Sequence, residues 1–174
     1  LLNLINNIID TSKIDSGFYR IDKAKVNIVE LVEDTALSMA ELAQVKGIEL
    51  IVDPEIEELF INCDKLDIER CIINLIGNAI KFTDAGGTIS VSVNKLNEKV
   101  KIGVKDTGVG IDKKYHDSIF DRFGQVYNGE SEGFGGSGLG LTLTKNLITL
   151  HGGEISVISE KGEGSEFIIM LPIQ

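Results

Sequence analysis

The sequence has only two cysteines, no run of basic residues and no long apolar stretch. Cys63 and Cys71 lack the partners of a disulfide framework or a metal site and read as buried thiols in a reducing compartment. Lys and Arg number 17 against 27 Asp and Glu, a formal net charge of −10. Duplex DNA or RNA is therefore not an expected partner, because phosphate neutralisation needs clustered cations. An acidic protein can still bind a small polyphosphate through helix dipoles, a metal ion and a few placed cations. No segment reaches the roughly 20 apolar residues needed to cross a bilayer, and no signal peptide is evident. The chain opens on Leu1 in mid-pattern without a Met, so it reads as a piece of a longer protein. The expected location is a cytoplasmic domain, with membrane anchoring of the parent left open.

Apolar residues make up 43 % and charged residues 25 %, which fits one soluble globular domain with a substantial core. Leu1, Leu4, Ile5, Ile8, Ile9 and Ile14 recur at helical spacing, with Gly17 as the expected C-cap. A helix so apolar is expected to pack on an adjoining helical module. Asn27 and Glu30 read as a capping box opening a helix to about Lys46, which Gly47 ends. Short strands are expected over 48–53, stopped by Pro54, and over 60–63. Asp64 caps a helix running to Phe82. Thr88 to Asn94 alternates apolar and polar, and Val100, Ile102 and Val104 repeat the alternation after a turn at Asn97. Residues 155–159 and 167–171 read as two more strands joined at Lys161-Gly162. Between the hairpins lies a helix from Leu139 to His151. The expected fold is α+β: a two-layer sandwich whose mixed, mostly antiparallel sheet carries helices on one face.

Four motifs carry chemistry. On the helix after Asp64, Asn74, Asn78 and Lys81 fall within about 60° of arc. A solvated face explains such a stripe as well as a binding site does. However, Asn is a mediocre helix former, and Gly77 beside the stripe predicts something packed closely against the backbone. An Asn amide oxygen can coordinate Mg²⁺, and Lys81 can reach a phosphate oxygen. Asp106 enters the turn Thr-Gly108-Val-Gly110-Ile111. It either starts that turn or accepts a hydrogen bond from an adenine amino group, with the glycines letting a base approach the backbone.

Fourteen of the nineteen glycines lie between Gly103 and Gly164, and residues 124–138 form a polar, glycine-rich segment of the length expected for a functional lid. Gly133-Phe-Gly135-Gly136-Ser137-Gly138 formally matches G-x-G-x-x-G. It follows no strand and opens no βαβ unit, which excludes a dinucleotide fold, and no Gly-Lys-Ser/Thr follows, which excludes a P-loop. What remains is a glycine-rich turn opening the helix at Leu139 and Gly140, which is either a flexible linker or an anion site. Phe120 and Phe123 are one helical turn apart and read alone as core. His116 and His151 lack companion ligands and read as structural.

In this order the motifs resemble the ATP-binding catalytic domain of sensor histidine kinases, within the gyrase–Hsp90–histidine kinase–MutL superfamily. The resemblance covers residues 26–172. It implies that Asn78 coordinates Mg²⁺ and that Lys81 contacts phosphate, with Asn74 also a nucleotide-binding position. It implies that Asp106 binds the adenine amino group, that Gly108, Gly110 and Ile111 shape the base pocket, and that Gly136, Ser137, Gly138, Leu139 and Gly140 form the lid's phosphate end. Phe120 and Phe123 match the family's aromatic pair. Residues 1–17 resemble the end of the dimerisation and phosphoacceptor module, and 18–174 the catalytic domain. The implied cofactors are ATP and Mg²⁺. The implied partners are ATP or ADP, a phosphoacceptor His on the parent's helical module, a response regulator receiver domain, and a second parent copy in a homodimer. Gln125 stands where many members carry a phosphate-holding Arg, with Arg122 nearby. Gyrase- and Hsp90-type ATPases place a water-activating Glu four residues before the metal-binding Asn. Here that position is Asn74, which cannot act as a carboxylate base. A serine-kinase anti-sigma factor and a non-catalytic nucleotide sensor are the other readings.

Overall fold

The structure, a computed structural model, describes residues 2–124 and 138–174. Five strands form one sheet in the order β2-β4-β5-β7-β6: β2 Glu49–Pro54, β4 Thr88–Leu96, β5 Lys99–Asp106, β6 Glu154–Glu160 and β7 Gly164–Pro172. The β4–β5 and β6–β7 hairpins follow from the alternation, and β5–β7 joins them antiparallel. Among the described residues only β2 pairs parallel, with β4. Ile89, Val91, Val93, Val100, Ile102, Val104, Phe167, Ile169 and Leu171 are buried on one sheet face. Polar positions such as Ser90, Ser92 and Lys101 occupy the other face, as a period of two requires.

The helices α2 Ile28–Ser38, α4 Lys65–Phe82 and α5 Gly140–Leu150 supply the facing layer. Ile68, Ile72, Leu75 and Ile76 of α4 meet Leu147 and Ile148 of α5 in the core. Asp64 caps α4 as expected, accepting from the amides of Leu66 at 3.1 Å and Asp67 at 3.3 Å. At the same end of the helix pair, His151 Nε2 accepts the Asp64 amide at 3.0 Å. Its Nδ1 lies 2.7 Å from the Leu147 carbonyl, so the proton sits on Nδ1. His151 is therefore structural, as its isolation in the sequence suggested. Cys63 and Cys71 are buried and free, and burial pushes their thiols up to about 11 and about 12.

Two local expectations are corrected and one strand is added. Asn27 makes no capping bond to α2. Its Oδ1 instead accepts the Leu59 amide at 3.2 Å, while Ile28 N–H binds the Leu59 carbonyl at 2.8 Å. A long-range partner has taken the amide. The helix expected to reach Lys46 breaks at Met39 into α2 and α3 Ala40–Val45. Just before the break, the hydroxyls of Thr35 and Ser38 bond back to the carbonyls of Leu31 and Thr35, both at 2.6 Å, a pattern that bends helices. Residues 24–27 form a strand, β1 Ala24–Asn27, paired antiparallel with β3 Phe60–Cys63. It is short and its partner is distant, so no periodicity announces it.

α1 Leu2–Asp15 lies across α4 and α5. Gly17 ends it at φ +73°, as the C-cap reading requires. Asn7, Asp10, Thr11 and Ile14 face inward, while Leu2, Ile5, Ile8 and Ile9 remain exposed. Arg70 of α4 donates to Asp10 and to Asn7, each at 2.7 Å. The segment after α1 is fastened by Tyr19, whose hydroxyl donates to Asp67 at 2.6 Å. Among the described residues no helix is long and apolar enough to cross a membrane.

Candidate nucleotide site

Asn74, Asn78 and Lys81 share the half-buried stripe of α4, opposite its buried apolar face. Asn74 is tied to the start of α5. Its Nδ2 donates to Thr144 Oγ1 at 2.9 Å, and that hydroxyl donates to the Gly140 carbonyl at 2.9 Å. A Cβ on Gly140 would collide with the Asn74 side-chain amide, so a larger residue there would displace Asn74 from its present position. Lys81 holds its ammonium 5.1 Å from the Phe82 ring centroid, and burial lowers its pKa. Gly77 is different from what its place beside the stripe predicts. The nearest atom to a Cβ there is Met39 Cε at 4.0 Å, an ordinary contact, so nothing among the described residues requires glycine.

Asp106 ends β5 and is buried, at 6 % exposure. Its Oδ1 accepts the Gly108 amide at 2.8 Å, so the turn-starting reading holds whatever else the carboxylate does. Burial raises its pKa, and the amides of Gly108 and Ser165 pull it back down. The two glycines that follow are needed by the protein's own backbone. A Cβ on Gly108 would meet the Phe82 carbonyl oxygen at 2.3 Å. At Gly110, where φ is +67°, one would collide with the carbonyl of Glu160. Ile111 N–H donates to Ser159 Oγ at 2.7 Å, and Ser159 lies 2.9 Å from Ser165 Oγ. Sequence reasoning missed this pair of buried serines. The only available signal was the register of two hairpin strands, which brings Ser165 opposite Asp106.

The α4 end and the Asp106 turn touch directly, because Val109 N–H donates to the Phe82 carbonyl at 3.2 Å. Gly138 opens the approach to α5 at φ +66°, and its carbonyl accepts the Phe123 amide at 3.0 Å. Leu139 is buried behind it. The aromatic pair divides. Phe120 is core, edge-on to Phe167 with centroids 6.3 Å apart, whereas Phe123 is 65 % exposed and sits at φ +58°. Arg122 pairs with Asp15 of α1. Gln125, Gly136, Ser137 and the rest of the expected lid over 125–137 lie outside the described residues. A cleft of about 640 Å³ runs between α1, α4 and α5, and Asn74 and Gly140 are among its walls. A second, of about 310 Å³, lies over Asp84, Gly87, Thr107 and Gly108.

The arrangement can bind a polyphosphate ligand. Asn74 meets the N-terminus of α5, and Asn78 and Lys81 follow it along the same stripe of α4. A buried carboxylate stands at the neighbouring strand end. An oxygen donor such as the Asn78 side-chain amide would suit Mg²⁺, a hard cation that usually keeps several waters and takes oxygens from phosphates.

Comparison with known proteins agrees. The sensor histidine kinase WalK of Bacillus subtilis is 33 % identical over 99 % of this chain and 28 % of its own length. The circadian input-output histidine kinase CikA of Synechococcus elongatus is 34 % identical over all of this chain and 23 % of its own. The chain thus spans about a quarter of these two relatives. Full-length ShkA, solved in complex with AMPPNP, superposes with a TM-score of 0.87 at 29 % identity, covering 98 % of this chain and 35 % of that one. The catalytic domain of the histidine kinase ThkA, solved free of nucleotide, gives 0.75 at 26 % identity over 87 % of this chain and 95 % of its own. Residues 63–174 match the family described as histidine kinase-, DNA gyrase B- and HSP90-like ATPase, and the chain belongs to it.

Proposed function

We propose that this chain is the ATP-binding kinase domain of a two-component sensor histidine kinase. It holds Mg–ATP and presents the γ-phosphoryl group to a His on a separate helical module, from which a response regulator takes it. The observation that carries this reading is the meeting of three motif segments at α4: Gly140 against Asn74, and Val109 against Phe82. Residues 1–17 are then the end of the dimerisation and phosphoacceptor module of a homodimeric parent. The exposed Leu2, Ile5, Ile8 and Ile9 support that, since an apolar helix face needs a partner.

In this reading Asp106 accepts from the adenine amino group, Asn78 holds Mg²⁺, and Lys81 with the amides near Gly140 takes the phosphates. The metal neutralises charge that develops on the transferring phosphoryl group. The protein's share is positioning and electrostatic stabilisation, because phosphoryl transfer asks for little covalent chemistry from it. Asn74 offers no carboxylate to activate water and is already engaged with Thr144. This favours transfer over hydrolysis.

The test is the metal dependence of nucleotide binding. Asn78→Ala should abolish most of the Mg²⁺ enhancement of ATP binding in calorimetry and leave metal-free ATP binding within about twofold of the parent chain. An equal enhancement in variant and wild type would exclude Asn78 as the metal ligand.

A further inference from the structure

The last carbonyls of an α-helix have no partners within it. In α4 that end carries Lys81, and no glycine in a left-handed conformation closes it. The C-cap, Thr83, is extended at φ −104° and ψ 132°. The orphan carbonyls are instead met from outside. Lys46 Nζ donates to the Ile80 carbonyl at 2.7 Å and to the Lys81 carbonyl at 2.9 Å. The next carbonyl, that of Phe82, receives the Val109 amide. Three consecutive carbonyls are thus satisfied by groups distant in sequence, and two of them by one ammonium.

Lys46 is itself well anchored. It is the C-cap of α3, with its own N–H bonded back to the Ala43 carbonyl at 3.1 Å and the next amide, that of Gly47, to Gln44 at 2.9 Å. The following Gly47 turns at φ +74°, and its carbonyl accepts the Gly86 amide at 2.8 Å. Glu49 N–H then binds the Gly87 carbonyl at 3.0 Å. The α3–β2 corner is stitched to the loop leaving α4 at two points just after the lysine. A fixed cation at a helix C-terminus is favoured by the helix dipole as well as by the two hydrogen bonds.

We infer that Lys46 is a positioning residue for the nucleotide site: it clamps the last turn of α4, so that Lys81 faces the phosphates and the Phe82 carbonyl seats the Asp106–Gly110 turn. The inference rests on the kinase reading for its ligand but not for its geometry. Without the ammonium, the Ile80 and Lys81 carbonyls lose their partners and the last turn unwinds toward water. Lys81 then loses its direction, and Val109 loses its acceptor.

The experiment compares Lys46→Met, which keeps the aliphatic stem, with Lys46→Arg, which keeps the charge and donors, in the 174-residue chain. Two quantities are read: Mg–ATP affinity by calorimetry, and hydrogen exchange of the Val109 amide without nucleotide. Lys46→Met should weaken Mg–ATP at least tenfold and speed Val109 exchange at least tenfold, with the amides of β5 and β7 unchanged. Lys46→Arg should return both to within threefold of wild type. A smaller change in Val109 exchange, equal losses in both variants, or uniform acceleration across the sheet would overturn the inference. If wild type binds no nucleotide, the kinase reading fails, and Val109 exchange alone decides the positioning role. If Lys46→Met does not fold, Lys46→Gln is read by the same criteria.

Discussion

Replacing Asp106 by Asn changes one oxygen for an NH₂ in a buried place where the donors are already fixed. The carboxylate has two oxygens; Oδ1 holds the Gly108 amide, and the Ser165 amide also points at the group. Its remaining acceptor capacity is what an adenine amino group would use. In Asp106→Asn, a single oxygen must serve the backbone or the ligand, and the new NH₂ faces a donor on the other side. A hydrogen bond to a charged group is worth about 1.5–3 kcal/mol, so ATP should bind about 10- to 150-fold more weakly. GTP presents a carbonyl where ATP has its amine, so wild type should discriminate against it by a similar factor, and the variant should lose much of that discrimination. Calorimetric titration of both nucleotides into both proteins, with thermal unfolding to confirm folding, gives all four affinities. Equal ATP and GTP affinity in wild type, or ATP binding within twofold in the variant, would refute the assignment of Asp106 as the base-reading group.

Gly77→Ala should stabilise the chain by about 1 kcal/mol, since the helix gains a better former and Met39 Cε at 4.0 Å leaves room for the methyl; chemical denaturation measures it, and a destabilised variant would show that the site is tighter than its contacts indicate. Asp67 gives a pH prediction. Burial raises its folded-state pKa above the ordinary 3.8, the Tyr19 hydroxyl opposes that rise, and its Oδ2 is buried without a partner. Between the unfolded and folded values the native state holds the extra proton, so this group's stability contribution is full below 3.8 and declines as pH rises through the folded value. Denaturation of wild type and Asp67→Asn across acid to neutral pH should therefore show the variant gaining on wild type as pH rises; a constant difference would contradict it.

Much of the frame was legible because local chemistry dictated it. Asp64 caps α4, Gly17 and Gly47 take left-handed conformations at helix ends, and the alternation in β4 and β5 sets their register. What escaped the sequence depends on contacts far along the chain. Asn27 has the residue type of a cap but is drawn away by Leu59, and β1 exists because β3 pairs with it. Lys46 looked like one more polar residue at the end of a helix. The glycines of the Asp106 turn were singled out for the approach of a base, and the atoms crowding them are the protein's own carbonyls of Phe82 and Glu160. Phe120 and Phe123 looked equivalent by spacing, and their backbones separated them into core and surface.

The His151–Asp64 bond has a mechanical meaning when taken with the Asn74–Thr144 bond. The two attachments lie ten residues apart on α4, about 15 Å at the helical rise. A pair of rods pinned at two points cannot slide or swivel past one another without breaking a pin, so α4 and α5 behave as a single beam. A displacement at the Gly140 end would then be passed along the pair toward Asp64. There Asp64 also holds the Asp22 amide at 2.9 Å, in the segment that leads back to α1. The stiffness of the pair would thus couple the start of α5 to the joint with the preceding helix.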